Sequence, residues 1–116
     1  MASAGGDWKD MYYAAERGDA ACVAYHLSQG VDVNYQHPEA MMSALVTATL
    51  QGHTAVVQLL LEHGADPNLP AELGPLTPLQ AAQQIHHPAL ELLLRNFGAT
   101  PHAAPRRSIW ERWFSL

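Results

Sequence analysis

The stretch Gly52-His53-Thr54-Ala55-Val56-Val57-Gln58-Leu59-Leu60-Leu61-Glu62-His63-Gly64-Ala65-Asp66-Pro67-Asn68 decides the fold. Val56, Val57, Leu60 and Leu61 recur at helical spacing and predict a helix with one buried face. Glycine enters the left-handed conformation without a Cβ clash. Gly52 is therefore expected to end a preceding helix, and Gly64 this one. Asp66-Pro67-Asn68 is turn chemistry.

The same signals recur at a fixed offset. Gly18, Leu27, Gly30 and Asn34 stand 34 residues before Gly52, Leu61, Gly64 and Asn68, and Gly98 stands 34 after Gly64. Several residue types agreeing at one offset is the signature of a repeat architecture. Each unit reads as a short first helix of small residues, such as Ala44 to Gln51, then a second helix and a loop. Asp19 is placed to cap the second helix of the first unit. Pro88 is placed at the first helical position of the third, where its missing N–H costs nothing. One unit cannot bury its own apolar face, and about three stacked units can. The chain carries about three, over roughly 8–36, 37–69 and 70–100. A flexible start (1–6) precedes this domain (7–100), and a tail (101–116) follows it.

Thr77-Pro78-Leu79-Gln80-Ala81-Ala82 and Gly52-His53 through Gly64-Ala65-Asp66-Pro67-Asn68 resemble the ankyrin-repeat family. The resemblance spans about residues 8–100. It implies an all-α solenoid of helix-turn-helix units that binds another protein and has no enzymatic activity. Lys9-Asp10-Met11-Tyr12 departs from the family's opening motif, as a terminal capping unit does. His86-His87 stands where Gly-His is usual, which is expected to strain or reshape that turn. Both connecting loops, 35–42 and 69–76, are one residue longer than the usual period implies, so irregular tips are expected.

The bulk numbers fit a small globular protein. A chain of 116 residues with 48% hydrophobic content can hold one compact core. A net charge of −5 with six Lys and Arg argues against nucleic acid as a partner. Cys22 is the only cysteine, so no intrachain disulfide forms. Residues 1–6 lack the basic and apolar segments of a signal peptide, and no apolar run approaches the roughly 20 residues that span a bilayer. A soluble, cytoplasmic protein with no membrane partner is the expectation.

The resemblance also implies where a partner binds: the loop tips and the exposed side of the first helices, which form a concave face. By position these are Glu39, Met41 and Met42, then Glu72, Leu73 and Leu76 at the tips. Glu16, Arg17, Leu50, Gln51, Gln84 and Ile85 are their counterparts on the helices. Met42, Leu50, Leu73, Leu76 and Ile85 are apolar where solvent-facing positions are expected. They either mark an interaction surface or pack on one another beneath irregular loops.

The tail offers a second candidate. Ser108 followed by Glu111 is a capping-box signature, and Ile109, Trp110, Trp113 and Phe114 then share one helical face. Such a short helix is marginal alone. It caps the open end of the third unit, enters a partner's groove, or pairs two chains through Trp110 and Trp113.

Seven histidines invite a metal or catalytic reading, but none has zinc-finger or His-Glu-x-x-His spacing. His53 is expected to hydrogen-bond loop backbone. His86 and His87 near a helix start give an adventitious ion site at most, or the basis of an enzyme accessory. Cys22 reads as a small packed hydrophobe. No phosphate-cradling loop or nucleophile elbow is present, so no cofactor is expected.

Overall fold

The computed structural model describes residues 8–101. These contain α1 (Trp8–Arg17), α2 (Ala20–Ser28), α3 (Ala44–Leu50), α4 (Thr54–Glu62), α5 (Pro78–Gln84) and α6 (Pro88–Asn96), and no strand. The expected start (1–6) and most of the tail (101–116) lie outside them.

Local chemistry sets the helix boundaries. Asp19 accepts the Cys22 N–H at 3.1 Å to start α2, and Ser43 accepts the Val46 N–H at 3.3 Å to start α3. Thr77 and Gln80 form a reciprocal capping box at the start of α5, at 3.1 and 3.0 Å, with Pro78 just inside it. His87 Nδ1 accepts the Leu90 N–H at 3.2 Å, and Pro88 opens α6.

Between the helices of each unit the chain must turn left-handed. Gly18 and Gly52 do this at φ +85 and +76°. His86 does it without glycine, at φ 54°. The third unit's helices nevertheless begin and end 34 residues after those of the second. The His86 substitution thus strains this turn and does not reshape it; the left-handed position costs a non-glycine residue roughly 1–2 kcal/mol.

The first helices α1, α3 and α5 pack side by side in one layer, and α2, α4 and α6 form the second. Met11, Leu45 and Leu79 are equivalent residues of the three first helices and are all buried. Val56, Leu60, Leu90 and Leu94 fill the second layer without solvent exposure. His26 holds the first-unit position of Leu60 and Leu94; it is buried, and its Nδ1 has no partner among the described residues.

The Asp-x-Asn turns work in two directions. Asp32 and Asp66 each accept the N–H two residues on, both at 2.9 Å, which closes the local turn. The asparagines reach forward to the next unit. Asn34 accepts the Asp66 N–H at 2.8 Å, and Asn68 accepts the Thr100 N–H at 3.0 Å and donates to the Gly98 carbonyl at 3.1 Å.

Comparing units shows which positions each later unit covers. Val46, Thr49, Val57 and Leu61 are buried. Their third-unit equivalents are Gln80, Gln83, Glu91 and Arg95, of which only Glu91 is half-buried. The side of the third unit that would meet a fourth is therefore polar, as the outer face of a terminal repeat requires for solubility.

Candidate partner-binding surface

Two rows of equivalent residues cross the layer of first helices. Glu16, Leu50 and Gln84 form one, and Arg17, Gln51 and Ile85 the other. Glu16, Arg17, Gln51 and Gln84 are exposed, while Leu50 and Ile85 are half-buried. Ile85 also packs against the hydrophobic core, and its Cδ1 sits 3.8 Å from where a Cβ on Gly52 would lie. Arg17 pairs with Asp19 at 3.4 Å on the surface, an interaction of small energetic weight.

The loop tips stand beside this layer and are joined to one another. The Leu73 N–H donates to the Met41 carbonyl at 2.8 Å. Gln36 accepts the Glu72 N–H at 3.1 Å and donates to the Pro70 carbonyl at 3.1 Å. Met41 adopts φ 56°, and the His37 carbonyl receives both the Ala40 and Met41 N–H groups. This is the irregularity expected from the extra residue in the first loop. In the second tip the Ala71 N–H bonds the Leu76 carbonyl at 2.9 Å.

Burial divides the apolar candidates. Leu73 is 64% exposed, whereas Met41, Met42 and Leu76 are half-buried. Glu39 and Glu72 are exposed beside them, with Glu39 3.3 Å from Lys9. Behind Leu76 lies an open groove of about 610 Å³ lined by Gly74, Pro75, Leu76, Gln80, Gln83 and Gln84. Of these, sequence reasoning did not single out Gly74, Pro75, Gln80 and Gln83. The signal was available in the 34-residue offset, since Gln80 and Gln83 replace the buried Val46 and Thr49.

The other end of the layer is aromatic. Trp8 stacks on His37 with centroids 4.3 Å apart and planes 7° off parallel, and Tyr35 lies about 6 Å from both rings. This ties the start of α1 to the first loop. Tyr13 and Tyr25 are exposed on the first unit. Tyr12 is half-buried, and burial raises its phenol above the usual value of 10.0 despite an opposing hydrogen bond with Thr47.

Two histidines hold backbone groups in place. His53 Nε2 bonds the Glu16 carbonyl at 2.9 Å, so its partner is the end of a helix in the preceding unit and not the loop backbone expected. His87 caps α6. Among the described residues, no group of three or more His, Cys, Asp or Glu side chains is placed to hold a metal ion. Cys22 is half-buried and packs against the core. Trp110 and Trp113 lie outside the described residues.

A family model for ankyrin repeats, in three copies, matches residues 11–104. The chain belongs to the ankyrin-repeat family. Among solved structures it resembles an ankyrin repeat domain from Acinetobacter baumannii AYE, with 31% identity and a TM-score of 0.75 over 86% of this chain. It also resembles the human ASB11 ankyrin repeat domain, with 34% identity and a TM-score of 0.70 over 78% of this chain. It spans 55% and 40% of those two chains. No curated protein matches it.

Ankyrin repeats generally mediate protein–protein interaction and are typically not enzymes. Among the described residues no helix is long and apolar enough to cross a membrane.

Proposed function

We propose that this ankyrin stack is a small cytoplasmic adaptor, regulator or inhibitor that binds another protein through the concave face. The two helix rows through Leu50 and Ile85 and the paired loop tips form that face. One observation carries the reading: Leu73, 64% exposed, stands at a tip whose backbone is held by Met41 and Gln36. Nothing in the packing of the stack requires a leucine there. A tip fixed by hydrogen bonds presents its side chain with little ordering cost on binding. Glu16, Arg17, Gln51, Glu72 and Gln84 surround the apolar centre with polar groups, the arrangement of a core and rim. His53 and His87, beside the face, are engaged by backbone groups.

The test is affinity capture with three proteins: wild type, Leu73→Glu with Gln84→Arg, and Gln58→Arg on the outer side of α4. All three substituted side chains are exposed, so the stack should keep its fold. A partner held by wild type and the outer-face variant, but lost by the double variant, supports the concave face. Equal capture by all three refutes it.

A further inference from the structure

An exposed Leu73 on a fixed tip calls for something apolar in the partner. The charges of the stack set a further requirement. Residues 8–101 carry nine Asp and Glu but three Lys and Arg. Each of the three bases already lies beside a carboxylate: Lys9 by Glu39 at 3.3 Å, Arg17 by Asp19 at 3.4 Å, and Arg95 by Glu91 at 4.0 Å. The unbalanced charge is therefore all negative. Glu16 and Glu72 contribute to it from the concave face. Both are exposed, and neither has an ionic partner among the described residues.

The groove beside the tip is suited to main chain. It combines Pro75 and Leu76 with the exposed glutamines Gln80, Gln83 and Gln84. Gln80 uses its Oε1 to accept the Thr77 N–H, and its Nε2 has no protein acceptor among the described residues. The amides of Gln83 and Gln84 make no hydrogen bond among the described residues. A glutamine amide both donates and accepts. An extended peptide brings an N–H and a C=O at each residue and needs both kinds of partner, whereas a helix has already paired most of its own.

We propose that the partner presents an extended, basic segment of polypeptide, with an apolar side chain set against Leu73 and Lys or Arg directed to Glu16 and Glu72. This names the partner of the concave face and rests on that face being the binding surface. The dimensions agree. Glu16, Leu50 and Gln84 are equivalent residues on α1, α3 and α5, which pack in that order. From α1 to α5 is two helix spacings, about 16–20 Å, and about six extended residues cross it. Unlike charge speeds the encounter with a basic segment, and like charge excludes an acidic one.

The test selects short random peptides, displayed on phage, against immobilised full-length protein, with an empty surface as control. The expected binders carry a large apolar residue, several-fold more Lys and Arg than the unselected library, and several-fold less Asp and Glu. For the strongest binder, Glu16→Gln with Glu72→Gln should slow association several-fold and leave dissociation nearly unchanged, as loss of rim charge does. Raised salt should slow association with wild type in the same way. Glu62→Gln, which removes an exposed charge from α4, should change neither rate. Proline, scanned along the binder, should cost affinity at one or two positions only; loss at every central position would mean a bound helix and overturn the extended segment. Binders that Leu73→Glu with Gln84→Arg abolishes, but that carry no basic excess or ignore Glu16→Gln with Glu72→Gln, would leave the concave face standing and overturn the basic partner. Basic binders unaffected by Leu73→Glu with Gln84→Arg would overturn the face and the proposal together. Two further outcomes overturn the proposal. One is no binder above the empty surface. The other is binders that appear only with Arg106→Gln and Arg107→Gln, which would make the chain's own basic segment the occupant.

Discussion

His53 and Glu16 join two units through one hydrogen bond, 2.9 Å from the imidazole Nε2 to the carbonyl oxygen. The carbonyl can only accept, so Nε2 carries the proton. The bond is possible because Gly18 leaves room: a Cβ there would sit 2.8 Å from Nδ1 of His53. At Gly30 a Cβ would meet nothing within 4 Å, although its φ of +94° is similarly left-handed. Gly30→Ala is therefore expected to cost only the backbone strain, about 1–2 kcal/mol. Gly18→Ala should cost that amount and about 1 kcal/mol more, because His53 must move and its hydrogen bond is lost. In a His53→Ala background the two alanine substitutions should become equal. Urea unfolding of the cycle measures this, and an undiminished excess at Gly18 would exclude His53 as its cause.

The third unit has the opposite defect. His86 sits at φ 54° where Gly18 and Gly52 serve the other units, and it is exposed, so its side chain gains little from packing. His86→Gly removes the strain but adds freedom to the unfolded chain, leaving a net stabilisation of about 0.5–1 kcal/mol. His86→Ala keeps the strain and should leave stability within about 0.5 kcal/mol of wild type. Chemical denaturation midpoints with an unchanged slope decide between them.

Much of this was legible in the sequence for a physical reason. Gly18, Gly52 and Gly64 are forced by backbone sterics, Asp19 and Pro88 by unpaired N–H groups, and such local requirements leave a mark at one position each. Site residues are different, because their exposure depends on what neighbouring units cover. Met42, Leu50, Leu76 and Ile85 read as solvent-facing by position, yet each is half-buried. Ile85 is half-buried because it packs against the hydrophobic core. The bond from His53 to Glu16 joins residues 37 apart in sequence, and no local pattern announces it. Nor does any pattern announce that His26 takes a core position filled elsewhere by Leu60 and Leu94.

Tyr12 supplies a dependence on alkaline pH. Burial raises its phenol above 10.0 in the folded state, outweighing the hydrogen bond with Thr47. The unfolded chain therefore releases this proton first as pH climbs. The contribution is fully present below the unfolded value and is lost as pH rises through the folded one. Wild type should lose more stability than Tyr12→Phe as pH rises past about 10, the ordinary tyrosine value. Parallel urea titrations at pH 9 and pH 11 test it; equal losses in the two proteins would show that Tyr12 ionises alike in both states.

The polar end of the stack can be tested by reversing it. Gln80→Val, Gln83→Thr, Glu91→Val and Arg95→Leu place on the third unit the residues that the second unit buries beneath its successor. The helices should survive, since all four positions are solvent-accessible and none caps a helix through its backbone. Gln80 contributes one side-chain bond to the capping box, worth about 1 kcal/mol, which is the expected loss of monomer stability. Burying three aliphatic side chains against another copy returns about 1.5–3 kcal/mol for each. The apolar face is the same on every copy, so the first association should be an isologous dimer. Sedimentation equilibrium at rising micromolar concentration should show the mass of the variant doubling while wild type is unchanged. A variant that remains monomeric at every concentration would mean that those four side chains are not what closes the stack.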